Sequence, residues 1–171
     1  MVGYKSKSFK ISIFVSMLLI ALTLALGIYM GLNSKEDIKE EVVKRIKEIE
    51  VTPQFIFFNN FGVSLATLIP FFGTPFHLFV QYNTGFGIGA IADLQNIHPL
   101  FLILFSLPIF LLEYTSYTLV LAEGLNLSYL ILKKRDVLVR IKKYLWRTLI
   151  LVALLLGVGA IIEAQLISFL R

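Results

Sequence analysis

Five long apolar runs constrain this chain more than any other feature. They cover about residues 11–32, 55–72, 76–92, 99–132 and 144–170, leaving one long polar stretch at 33–54. A water-soluble domain of 171 residues has no interior large enough for them. Apolar runs of roughly 18 residues or more read instead as membrane helices. Charged residues make up only 16% of the chain and mean hydropathy is +0.82, whereas soluble domains carry about 25% charged residues. A soluble enzyme, a nucleic-acid module and a disordered chain are excluded on these grounds. The expected fold class is all-α: a polytopic integral membrane helical bundle of about five transmembrane segments, in a single domain over 1–171.

Crossing the hydrocarbon core takes roughly 20 residues, with a range of about 17–25. Segments two and three sit at the short end and are broken by Pro70, Gly73, Pro75, Gly85, Gly87 and Gly89. Such segments either span or form a re-entrant pair whose irregular backbone lines a cavity. Segment four is longer than a crossing requires; a kink at Pro108 or an extension past the inner leaflet accounts for that equally well. Lys5, Lys7 and Lys10 before the first run imitate a signal peptide. Its apolar stretch exceeds the ~7–15 residues of a signal core, so an uncleaved anchor is expected.

Charge placement sets the orientation. Lys5, Lys7 and Lys10, with Lys133, Lys134, Arg135, Arg140, Lys142, Lys143 and Arg147, account for ten of the 16 basic residues. The positive-inside rule places both groups in the cytoplasm, as a tail over 1–10 and a basic loop over 133–147. Four crossings return the chain inside at residue 133, and the fifth leaves Arg171 outside. The stretch 33–54 is then extracytoplasmic. Ser34 and Asp37 resemble a capping box, and Ile38, Val42, Ile46 and Ile49 form one apolar stripe. An amphipathic helix follows, resting on the membrane or its own bundle, or docking a partner.

Carboxylates within a span cost roughly 2.5–3.5 kcal/mol on insertion scales and so mark candidate sites. Glu113 and Glu123 in segment four and Glu163 in segment five are those acids; Asn59, Asn60 and Asn83 are their amide counterparts. Depth reckoned along the helices groups Asn59 and Asn60 with Glu163 near the outer face. Asn83 pairs with Glu123 near the inner face, and Glu113 lies between. No basic residue is expected at membrane depth to pair with the acids. Glu113, Ser116, Tyr117, Val120 and Gly124 share one inward helical face. These groups serve either interhelical hydrogen bonding or a proton or cation path.

Small residues supply close-packing faces: Gly27 and Gly31, Gly85 and Gly89, and the stripe Ala153, Gly157, Ala160 and Ala164. The last is expected to join two copies into a C2 homodimer or to pack within one protomer. The chain has no cysteine and two histidines, His77 and His98, expected at opposite faces. Neither a metal site nor a Ser/His arrangement at membrane depth is expected, and Asp93 sits at a segment end. No catalytic residues, no metal and no cofactor are assigned.

Asn59-Asn60 early in a span, then Asn83-Thr84-Gly85 with Gly89, resembles the stage II sporulation protein M family. Pro108 and Glu113 keep the spacing of its third motif, with Ser116 and Gly124 following, and Ile162-Glu163-Ala164 matches again. Ile109 and Phe110 replace the His-Gly of that motif, so an activity tied to it does not carry over. The resemblance covers about residues 55–167. It implies a multipass membrane protein that, in spore formers, holds peptidoglycan-degrading proteins at the septal membrane during engulfment. Relatives also occur in bacteria and archaea that never sporulate. The resulting expectation is a non-enzymatic scaffold or assembly subunit in the cell membrane, with cytoplasmic N-terminus and extracytoplasmic C-terminus. Its partners would be the lipid bilayer, other membrane or envelope proteins and a second copy of itself, with no nucleic acid. The alternative is a permease-like subunit moving ions or small solutes through a path lined by the intramembrane Glu and Asn residues.

Overall fold

The computed structural model describes residues 7–48 and 51–170, and the side chains of these up to Ser168. The expectations for Lys5, Ile49 and Arg171 lie outside the described residues. Every regular element among the described residues is helical. They are α1 (Lys7–Leu32), α2 (Glu36–Glu48), α3 (Pro53–Thr67), α4 (Gly73–Leu94), α5 (Pro99–Phe105), α6 (Leu107–Leu132), α7 (Val137–Arg140) and α8 (Trp146–Leu170), with a π-helical turn, Ile141–Leu145, joining the last two.

Among the described residues two helices are long and apolar enough to cross a membrane: Lys7–Leu32 and the continuous Val137–Ser168. A third arises if α4 and α5, bent by 114° at their junction, count as one span. The five expected segments are thus present as helices, but only two or three satisfy length and composition. α3 is short at 15 residues. α6 has the length but carries Glu113, Glu123 and a polar inner face, as a helix enclosed by others can.

The turns explain where the elements stop. α3 opens on Thr52, whose hydroxyl accepts from Phe55 N, with proline in the first turn, where its missing N–H costs nothing. α4 ends at Asn96 in the left-handed region (φ 54), and Ile97 N returns to Ala92 O. α6 ends the same way, with Lys134 at φ 49 and Arg135 N on Leu130 O. The fourth segment is interrupted next to Pro108, within the turn that a proline disrupts. Pro108 lies in the first turn of α6, and the break falls two residues before it at Ser106, the shared cap of α5 and α6. Ser34 does not cap α2; its hydroxyl donates to Gly31 O at the end of α1.

The tightest packing joins α1 to α4. Buried positions on α1 (Phe9, Ser12, Ser16, Ile20, Leu24, Gly27 and Gly31) recur every three or four residues, a single stripe of small and apolar groups. A Cβ on Gly27 would overlap the backbone of Tyr82 and lie 3.1 Å from Gly85 Cα; one on Gly31 would overlap Phe86 and lie 3.1 Å from Gly89 Cα. The register 27 on 85 and 31 on 89 means the helices run parallel, backbone against backbone. Small residues at such a crossing let helices gain dispersion contact where lipid supplies no hydrophobic force.

Ile20, Tyr117, Val120, Leu121, Val152 and Leu156 form the apolar core, drawn from α1, α6 and α8. Phe14, Leu22, Phe58, Phe79 and Leu154 stay exposed on the outer surface of the bundle, as side chains facing lipid do. The polar stretch 33–54 holds α2, which folds back along α4: Lys39 Nζ pairs with Asp93, and Ile46 lies 3.1 Å from a Cβ built on Gly87.

Candidate functional site

α6 carries its inward face through the whole bundle. Ser116, Tyr117, Val120 and Gly124 are all buried on it. Glu113 lies near its first turns and Glu123 two to three turns further on, so the two carboxyls occupy different layers on either side of the apolar core.

The inner layer is closed. Glu123 and Arg140 are both fully buried. Arg140 Nε donates to Glu123 Oε2 at 2.8 Å and Nη2 to Oε1 at 2.6 Å. Thr148 Oγ1 donates to the same Oε1 at 2.9 Å. The guanidinium lies over the Phe9 ring at 4.1 Å and faces the Tyr144 ring at 5.2 Å. A planar guanidinium gripping a carboxylate in two-pronged fashion with an aromatic on its face is the geometry in which arginine outperforms lysine. The expectation that no basic residue pairs with the buried acids is therefore wrong for Glu123. Arg140 was counted with a basic loop, but residues 137–145 are helical, and the first turns of this long helix pass beside α6. Asn83 does not join this layer; it is exposed, and its amide donates to Phe79 O in its own helix.

Beside it, the α3–α4 turn is pinned to α6. A Cβ on Gly124 would lie 2.5 Å from Thr67 O, so only glycine admits the approach. Ser128 Oγ accepts from Phe71 N at 3.0 Å, where Phe71 takes φ 65. Across the turn Thr67 Oγ1 meets His77 Nδ1 at 2.9 Å. The hydroxyl proton already goes to Val63 O, so Nδ1–H is the donor and Nε2 is left a buried acceptor without a partner. This His–Thr pair at bundle depth was not anticipated: the residues are ten apart, and only the turn brings them together.

The outer layer is open. Asn60 Nδ2 donates to Glu113 Oε1 at 2.6 Å. Glu113, Glu163, Asn59 and Asn60 line one cavity of about 390 Å³. The structure thus brings Glu113 together with the outer group, one layer further out than its sequence depth suggests. Gln81 and Tyr117 also line it; Gln81 was not among the expected site residues, and its signal is a polar side chain inside a Gly-punctuated apolar segment. Of the packing residues, Gly27, Gly31, Gly85 and Gly89 meet each other. Gly157 meets Phe57 of α3 at 3.9 Å from a built Cβ, Ala160 is buried, and Ala164 is half-buried. Of the small stripe of α8, Ala160 is thus enclosed within the protomer, and Ala153, Gly157 and Ala164 are half-covered.

The model of the family described as Stage II sporulation protein M matches residues 11–166. This chain belongs to that family. The match reaches further back than the motifs over 55–167 and takes in α1, whose glycines close on those of α4. No curated protein matches the chain. No solved structure matches it either. Family membership and the apolar helices make it a membrane protein.

Proposed function

We propose that the chain is a non-enzymatic multipass scaffold or assembly subunit of a cell-membrane complex. One observation carries the reading: the two carboxyl layers of α6 are separated by the apolar core, and Glu123 is sealed by Arg140 and Thr148. A conducting path needs polar groups continuous from face to face, and this arrangement interrupts it. Five crossings fit the alternating directions of α1, α3, α4, α6 and α8. Lys7, Lys10, Lys133, Lys134, Arg135, Lys142, Lys143 and Arg147 gather at the end that holds the Glu123–Arg140 pair, which supports a cytoplasmic assignment for that end.

In this reading the partner surface is the solvent side of α2, where Glu40, Lys44, Lys47 and Glu48 border a shallow groove with Leu94. Purification of the tagged chain from native membranes tests it. A stoichiometric envelope protein should co-purify, and reversing the charges at Glu40, Lys44 and Lys47 should release it while the bundle stays folded. Equal recovery with the charge-reversed chain overturns that surface. Assembly as a homodimer belongs to the same proposal, tested by mass determination in detergent; a monomer at every concentration overturns it.

The outer cavity favours a second reading, a permease-like subunit that takes up solutes from one side. Flux of ions or small solutes in proteoliposomes, abolished by Glu113→Gln, would establish it.

A further inference from the structure

The outer cavity is lined by α1, α2, α3, α4, α6 and α8, so it lies at the heart of the outer half rather than in a surface crease. Its volume of about 390 Å³ falls within the roughly 300–1,000 Å³ of small-molecule sites. Its polar groups are one-sided: Glu113, Glu163, Gln81, Asn60 and Tyr117 line it, and among the described residues no Lys, Arg or His does.

Three of these groups are unspent. Gln81 is 5% exposed and Tyr117 8%, yet neither the amide nor the phenol hydroxyl hydrogen-bonds any described residue, and the same holds for the Glu163 carboxyl. By contrast, Tyr114 donates to Met17 O and Thr84 to Val80 O. Asn60 takes one oxygen of Glu113. The polar atoms of all three open onto the cavity and are not sealed within the protein, so they stay free to bind what enters it. An amide, a phenol and a carboxyl turned to one cavity without partners are groups kept for a ligand.

The acceptors ask for a cation with several N–H donors, since a protonated primary amine offers three donors and no acceptor. The remaining walls (Phe55, Phe110, Leu24 and Ile88 among them) ask for an apolar body attached to it. Among the described residues no cluster of three His, Asp or Glu side chains is present to hold a metal ion. We propose that this cavity binds a primary alkylammonium ion, its ammonium held by Glu163 and Glu113 with Gln81 and Tyr117 completing the shell, and its alkyl chain against the Phe55 and Phe110 rings. The site is independent of the scaffold reading: its failure leaves partner capture untouched, and the reverse.

The full chain in lipid nanodiscs, titrated with hexylamine at neutral pH and followed by calorimetry, tests the site. 1-Hexanol, trimethylhexylammonium and calcium chloride serve as comparison probes. Saturable binding of hexylammonium is expected, with hexanol and the quaternary ion weaker by roughly tenfold or more, the worth of lost charged hydrogen bonds. Glu163→Gln should cause a loss of similar size. Gln81→Leu, close in shape and gentle on the fold, should weaken binding several-fold, with helix content and melting temperature unchanged in both. Equal binding of hexanol overturns the proposal, because it marks mere apolar partition. So does competition by calcium that Glu163→Gln abolishes, which marks a metal site. Hexylammonium binding indifferent to both substitutions overturns it as well.

Discussion

Glu113 and Glu123 stand ten residues apart on one helix, both in apolar surroundings, and meet opposite fates. Glu123 receives two hydrogen bonds from Arg140 and one from Thr148 with no exposure at all. Glu113 receives one from the neutral amide of Asn60 and lines a cavity shared with Glu163. The difference teaches how to sort buried acids in a membrane bundle. A carboxylate with its counter-ion and both oxygens engaged is part of the frame. One met by a single amide beside another acid is available for something else.

The largest effect should come from breaking the closed pair. Removing one partner of a buried ion pair strands the other charge, at a cost of about 3–5 kcal/mol. Arg140→Ala should therefore abolish a folded, monodisperse preparation or lower its unfolding midpoint drastically in a detergent melt. Replacing both members, as Glu123→Leu with Arg140→Met, should recover much of that loss, because an apolar pair of similar volume needs no compensation. A single Arg140→Ala chain as stable as the parent would show that the pair holds nothing together.

Next in size is the seam that sets one wall of the open cavity. Gly85→Ala places a methyl group against Leu24 O and Ile28 N, and overpacking costs about 1–3 kcal/mol. It should lower the midpoint clearly and loosen α4 from α1. Gly157→Ala, whose new Cβ meets only Phe57 at ordinary contact distance, should be close to neutral. Equal effects of the two would mean that backbone approach is not what joins α1 to α4.

This contrast also shows what the sequence discloses. The glycine spacing in two runs announced close packing, and the structure pairs those two runs with each other. Asn60, Glu113 and Glu163 were legible as polar residues in apolar context, and they do share one site. The Glu123–Arg140 pair was not legible, because linear charge counting assigns Arg140 to a loop. Only the continuation of the helix through residues 137–145, with its π-helical turn, carries the guanidinium beside α6. The break at Ser106 was signalled only by Pro108 two residues on, because residues 99–132 are apolar on both sides of it and hydropathy does not report an interruption. The His77–Thr67 pair depends on the fold of one five-residue turn, which no periodicity reports.

A smaller effect is expected at the rim, where α2 is tied to α4. Lys39 is mostly buried and pairs with Asp93, which is itself partly exposed. A pair of this kind is worth more than the ~0–1 kcal/mol of a fully exposed one and less than a sealed one. Lys39→Met keeps the stem packed and removes the charge. It should leave the global midpoint nearly unchanged while raising hydrogen exchange in α2 relative to α4. Unaltered exchange would mean that Ile46 and its neighbours hold α2 without the ion pair.

The smallest effect on stability should be Glu113→Gln, and it bears most directly on the comparison. Glutamine keeps an oxygen to accept from Asn60 Nδ2 and fits the same space, so the one hydrogen bond survives. What disappears is the capacity for negative charge, which the frame does not use at this position because no described cation stands opposite it in the cavity. A change below about 1 kcal/mol in the detergent melt is expected, within the range of a single interhelical hydrogen bond. Glu123→Gln supplies the control: it leaves Arg140 facing a neutral amide with no exposure, and should cost several times more. If Glu113→Gln proved as damaging as Glu123→Gln, both acids would belong to the frame, and the outer cavity would lose its claim to be a site.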